Sequence, residues 1–112
     1  MPISETYLRT TVELLSNVRP VTAKKMFGGA GLYCEEVFFA VIDDDRLYLK
    51  VDQVNLPDFE AFDAEPWIMD LRNPKPAPYR ELPAEILHDP QQLGAWIDAA
   101  VAVARRKAKS KR

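Results

Sequence analysis

Lys24-Lys25-Met26-Phe27-Gly28-Gly29-Ala30-Gly31-Leu32-Tyr33 gathers three of the chain's four glycines into four consecutive positions of a run that otherwise reads as a strand. Glycine reaches backbone angles that other residues avoid and lets another chain segment approach closely, so the cluster marks a bend, bulge or contact point. Because Leu32-Tyr33 continues in strand character, the run predicts a first strand over residues 25–33 that is bent or bulged at its glycines. A phosphate-cradling loop would end in Gly-Lys-Ser/Thr and open directly into a helix. A dinucleotide-binding turn would need a third correctly spaced glycine and the same helix. Neither pattern follows here.

Working outward, Ser4 is placed to cap a first helix whose apolar positions Leu8, Val12, Leu15 and Val18 share one face, and Pro20 ends it. Downstream, the wholly apolar Val37–Ile42 predicts a central strand, and the alternating Arg46–Val51 predicts its neighbour. Glu35-Glu36 and Asp43-Asp44-Asp45 fall between these runs as short polar connections, which makes the three strands antiparallel neighbours. A short helix from Pro57 to about Ala64 follows, with Phe59 and Phe62 on its apolar face. Trp67-Ile68-Met69 and Tyr79-Arg80-Glu81-Leu82 predict two more strands, joined by an extended loop over Asn73–Pro78, whose alternating prolines forbid helix. Pro83–Leu87 reads as one helical turn. Asp89-Pro90 then opens a last helix with Leu93, Trp96, Ile97, Ala100, Val101 and Ala104 on its buried stripe. The predicted order is α-β(3)-α-β(2)-α, an α+β domain with an antiparallel sheet.

At 112 residues the chain is one domain's worth, enough to bury roughly two-thirds of the surface its unfolded form exposes. Its 47% hydrophobic and 29% charged residues exclude disordered and membrane-embedded classes, and no apolar stretch is long enough to span a bilayer. The amino terminus has no basic region followed by an apolar core, and the lone Cys34 has no internal disulfide partner, so the expected location is a reducing cytoplasm. The formal net charge of −2 hides a division. Residues 1–104, the expected domain, hold nine basic and seventeen acidic side chains. The tail of residues 105–112 carries Arg105, Arg106, Lys107, Lys109, Lys111 and Arg112. An acidic body is a poor electrostatic match for nucleic acid. The tail either solvates a helix end and faces its negative dipole, or contacts phosphate.

Chemistry-bearing residues are sparse. His88, the only histidine, precedes Asp89-Pro90 at a helix entry and has no nucleophile signalled beside it. Cys34 stands next to Glu35 and Glu36, the opposite of the cationic setting that activates a thiol. One cysteine and one histidine do not make a zinc site. Three adjacent aspartates between strands read as a solvated turn, since calcium loops spread their ligands over a dozen positions. Trp67, Trp96, Phe38, Phe39, Phe59 and Phe62 sit at periodic apolar positions and read as core. No catalytic residue, metal or cofactor is therefore expected. Two sets of side chains remain as contact candidates. Lys24 and Lys25 offer an anion contact or simple surface solvation. Arg46, Tyr48 and Lys50 share the polar face of one strand, and with Tyr79 and Arg80 from a neighbouring strand would form an exposed aromatic and cationic patch suited to binding. The alternative is a solvated sheet face.

The stretch Val21–Tyr33, with Met26, Phe27, Gly28, Gly29, Gly31, Leu32 and Tyr33 as its signature, resembles the amino-terminal domain of the TfoX/Sxy family, bacterial proteins associated with regulation of competence genes. Leu47–Val51, Tyr79–Pro83 and Leu93–Ala100 recur in the family's order, so the resemblance covers nearly the whole chain. It implies a secretion-chaperone-like α+β fold, with no catalytic residues to carry over. The function it implies is a non-enzymatic regulatory or adaptor role linked to competence or transcription, through an unknown protein partner or a homodimer. The alternative is a nucleic-acid-associated accessory protein that uses the basic tail. Longer members carry a second, helical, DNA-binding-like domain, and this chain has its basic tail where that domain would begin.

Overall fold

Chain entry is fixed by Ser4, whose Oγ accepts the Tyr7 N–H at 3.0 Å and starts helix α1, Glu5–Ser16. The computed structural model describes residues 3–26, 28–68, 72 and 76–110. Four strands follow α1: β1 Val21–Met26, β2 Gly29–Cys34, β3 Val37–Asp43 and β4 Arg46–Lys50. Then come α2 Leu56–Glu60, β5 Pro66–Ile68, β6 Pro76–Glu81, α3 Ala84–Leu87 and α4 Pro90–Ser110. The strands form one antiparallel sheet in the order β1-β2-β3-β4-β6-β5. The expected antiparallel α+β arrangement is therefore present, with four strands rather than three in its first group.

The extra strand comes from the glycine stretch. Met26 pairs with Gly29, so the chain reverses between them, and Gly28 takes the left-handed φ of 79°. The expected bent strand over 25–33 is instead a hairpin, because a left-handed residue at that point turns the chain back rather than displacing one residue from a ladder. Phe27, the other residue of this turn, lies outside the described residues. A bulge does occur, but one strand over. Leu32 pairs with Ala40 and Tyr33 with Phe38, which leaves Phe39 as the extra residue of β3, fully buried in the main core. Gly31 serves close packing: a Cβ there would sit 2.7 Å from Met26 Cε and 3.1 Å from Phe38 Cε1.

Two further expectations shift. Pro76 and Pro78 belong to β6 rather than to a loop. Proline lacks a donor but keeps its carbonyl, and the Pro78 carbonyl accepts the Val51 N–H at 2.9 Å. Residues 73–75 of that loop, and Met69 of the neighbouring strand, lie outside the described residues. Helix α4 continues through residue 110, so Arg105, Arg106, Lys107 and Lys109 are helical rather than a separate tail. Lys111 and Arg112 lie outside the described residues. Asp89 opens α4 as expected, its Oδ1 accepting the Gln92 N–H at 3.3 Å and its Oδ2 the Gln92 side-chain amide at 2.8 Å.

All four helices bury side chains against one face of the sheet. Leu15, Phe59, Ile86 and Ile97 from the helices meet Leu32, Ile42, Leu47 and Leu49 from the strands. The opposite face has its own smaller cluster, built by strand residues alone: Val41, Tyr48 and Tyr79, with Phe38, Trp67 and Ala77 packed on them. Among the described residues no helix is long and apolar enough to cross a membrane.

Candidate functional site

Alternation along β4 puts Leu47 and Leu49 toward the helices and Tyr48 and Lys50 on the other face. On that face the aromatic rings form a continuous row. Tyr33 stacks on Phe38 at 5.3 Å between centroids, Phe38 lies 6.4 Å from Tyr79, Tyr79 meets Trp67 edge-on at 5.4 Å, and Trp67 lies 6.2 Å from Tyr48. Lys50 Nζ sits over Phe38 and Tyr79, 5.4 and 5.6 Å from their centroids, where the negative ring faces attract a cation. Trp67 Nε1 donates to Asp43 Oδ2 at 3.0 Å and so anchors the row's edge.

The expected exposed patch is corrected on two counts. Tyr48 and Tyr79 are each only 8% exposed, because the rings of Phe38 and Trp67 cover them. Burial raises both phenols above their ordinary pKa, that of Tyr79 to about 12. Arg80 pairs with Leu49 and therefore lies on the helix-side face, donating from Nη1 to the Ala64 carbonyl at 3.0 Å. Arg46 stays exposed and pairs with Glu81 at 3.2 Å. Of the five residues, Lys50, Tyr48 and Tyr79 are brought together. Phe38 and Trp67, expected in the core, complete the row, whereas Phe62 is 41% exposed and meets Trp96 edge-on.

Lys50 also belongs to a second feature, where the last turns of α4 lie beside β3 and β4. Two open depressions of about 490 and 730 Å³ share Lys50 and Arg106. Their apolar lining includes Val37, Phe38, Val51, Pro78 and Val103, and their cations are Lys50, Arg105, Arg106, Lys107 and Lys109. Together they form one groove. Arg106 grips Asp52 through two 2.9 Å hydrogen bonds, and Arg105 Nη2 reaches Glu35 at 3.1 Å. Asp52 is partly desolvated, which raises its pKa, but the Val54 N–H and Arg106 outweigh that and hold the carboxyl below its ordinary range.

Asn55, which the sequence reading passed over, positions this carboxylate. Only 3% exposed, it donates from Nδ2 to the Lys50 carbonyl at 3.0 Å and accepts the Asp52 N–H at 2.9 Å. The signal available was the Asp52-x-x-Asn55 spacing just after a strand, where both side chains cap local backbone.

The remaining candidates do not assemble. Lys24 and Lys25 are neighbours on a strand and point to opposite faces, and Lys25 pairs with Glu5, so they make no joint anion site. Asp43 turns to Trp67 and Asp45 accepts the Ser4 N–H at 2.8 Å. Cys34 is buried, and desolvation followed by the charge of Glu35 raises its thiol pKa, the reverse of activation. His88 closes α3 as its C-cap.

Comparison with protein families finds that the TfoX N-terminal domain matches residues 13–104. Comparison with curated proteins gives no match.

Proposed function

Because the chain belongs to the TfoX N-terminal domain family, we propose that it is a non-enzymatic regulatory or adaptor domain that acts through protein contacts, in the competence- or transcription-linked setting its family resemblance implies. The observation that carries this reading is the make-up of the groove. Guanidinium and ammonium groups surround an apolar floor, carboxylates stand at the rim, and among the described residues no Cys, Ser, Thr or His lines it. Such a lining suits recognition of a charged and apolar partner.

The nucleic-acid reading rests on the same α4 cations. Against it stand the pairing of Arg105 and Arg106 with Glu35 and Asp52, and the excess of acidic over basic side chains in residues 1–104. Neutralised guanidiniums release few counterions from a duplex. Fluorescence anisotropy of labelled duplex DNA against salt separates the two readings. The full chain is expected to show no saturable binding at about 150 mM salt. Tight binding with a log–log salt slope of about −4 or steeper, flattened by Lys107→Glu with Lys109→Glu, would show several phosphates engaged and replace the adaptor reading.

A further inference from the structure

We infer that the groove between the end of α4 and the strands is the docking site for a short acidic segment of a partner protein that carries apolar anchor residues. The inference rests on the adaptor reading and names the chemistry of the partner. Charge complementarity sets the acidic half. From Lys50 to Lys109 the groove carries five cationic side chains against three carboxylates, Asp52 and Glu35 paired with Arg106 and Arg105 and Glu36 in the lining, so its balance is positive. Lys107 and Lys109 stand on the exposed last turns of α4, which the helix's negative end favours.

The floor sets the apolar half. Val37, Phe38, Val51 and Val103 line it with hydrocarbon that phosphate and sugar do not complement but aliphatic and aromatic side chains do. Glu36 and Asp52 at the rim further disfavour a phosphate backbone, whose charges are evenly spaced, over a peptide whose acidic positions can avoid them. The helical stretch along the groove, Val103 to Lys109, spans about 9 Å, the reach of about three extended residues. The determinant is therefore short, and its affinity belongs in the micromolar range.

Three fluorescein-labelled peptides of equal length test this with the full chain: one mixing Glu with Leu and Phe, one of Glu alone, and one mixing Lys with Leu and Phe. At about 150 mM salt the Glu/Leu/Phe peptide is expected to bind at least about tenfold more tightly than either of the others. Lys107→Glu with Lys109→Glu is expected to weaken it about tenfold or more while far-ultraviolet circular dichroism shows the chain still folded, its thermal midpoint lowered because both carboxylates face the helix's negative end. On the unsubstituted protein, the peptide should shift the NMR amide signals of Val37, Phe38, Val51 and Val103.

No binding, equal binding of the Glu-only peptide, or shifts confined to other surfaces would overturn the inference. So would concentration-dependent dimerisation of the free chain abolished by the same two substitutions, which would assign the groove to a second copy. These outcomes leave the DNA titration untouched, so the adaptor reading and its partner chemistry fail separately.

Discussion

Asn55 holds two backbone groups with one side chain, at the point where β4 hands over to α2. Its amide donates to the Lys50 carbonyl and accepts the Asp52 N–H, and Asp52 in turn receives both Arg106 contacts. Removing it leaves a carbonyl and an amide without these partners in a place that is 3% exposed. An unsatisfied buried polar group costs about 1–3 kcal/mol. Asn55→Ala is therefore expected to lower the urea-unfolding free energy by an amount in that range. Asn55→Asp, which keeps the acceptor but sets a buried carboxylate against the Lys50 carbonyl oxygen, should lower it at least as far. Equal stability of all three would show that the loop holds its shape without the bridge. Gly31 makes the complementary case, a position defined by what it lacks: Met26 and Phe38 occupy the space a side chain would take.

Among the elements, the hairpins show where sequence pattern informs and where it stops. Alternation and apolar runs located α1, β3, β4 and α4, because a buried face imposes a period of two or near 3.6 on the residues that make it. The same alternation correctly put Tyr48 and Lys50 opposite Leu47 and Leu49, yet read the face as open. Period reports which way a side chain points, and the covering rings of Phe38 and Trp67 arrive from other strands. The glycine stretch misled for a related reason, since a left-handed glycine serves a turn and a bulge alike and only the Met26–Gly29 pairing decides between them. The other two reversals were legible from the polar connections Glu35-Glu36 and Asp43-Asp44-Asp45 between the strand runs, although their residues are not the usual ones for such turns. Glu35-Glu36 and Asp44-Asp45 sit in two-residue turns with φ of 52° and 66°, and 52° and 54°, positions that favour Asn and Gly. Holding an ordinary L-residue there costs about 1 kcal/mol. Glu36→Gly, which relieves φ of 66° and leaves the Glu35–Arg105 pair in place, is expected to raise stability by about that amount in thermal unfolding. Unchanged or lower stability would show that Glu36 makes contacts that offset the backbone strain.

At the scale of the molecule, three aspartates whose pKa the fold lowers act on α4: one caps its start, and two form ion pairs between α4 and other elements, beside the Arg105–Glu35 pair. Asp89 caps its start and is held down by the hydrogen bonds from Gln92. Asp98 in its middle is lowered by its paired hydrogen bonds from Arg19, at 2.8 and 2.7 Å, which tie α4 to the exit of α1. Asp52, lowered despite its partial burial, clamps Arg106 near its end. For each, the folded chain binds the proton less readily than the unfolded chain does. Their stabilisation is therefore complete above the ordinary carboxylate pKa of about 4 and is lost as the pH falls through the lower folded values. Tyr79 acts in the opposite direction at the alkaline end. Its phenol, raised to about 12 by burial, contributes fully below the ordinary tyrosine value and loses that contribution as the pH climbs toward 12. These four groups leave the thermal midpoint flat through neutral pH, with a fall beginning below about pH 4 and another above about pH 10. The acid fall should be shallower in Asp98→Asn, whose midpoint at neutral pH is already lower because the ion pair with Arg19 is gone. Circular dichroism melts from pH 3 to pH 7 check both statements, and an acid profile for Asp98→Asn as steep as that of the unsubstituted chain would remove Asp98 from the account. Because the groove is walled by the last turns of α4 and recognises acidic side chains, the same acid range should release the Glu/Leu/Phe peptide, whose glutamates lose their charge near about pH 4 as the hold on the helix weakens.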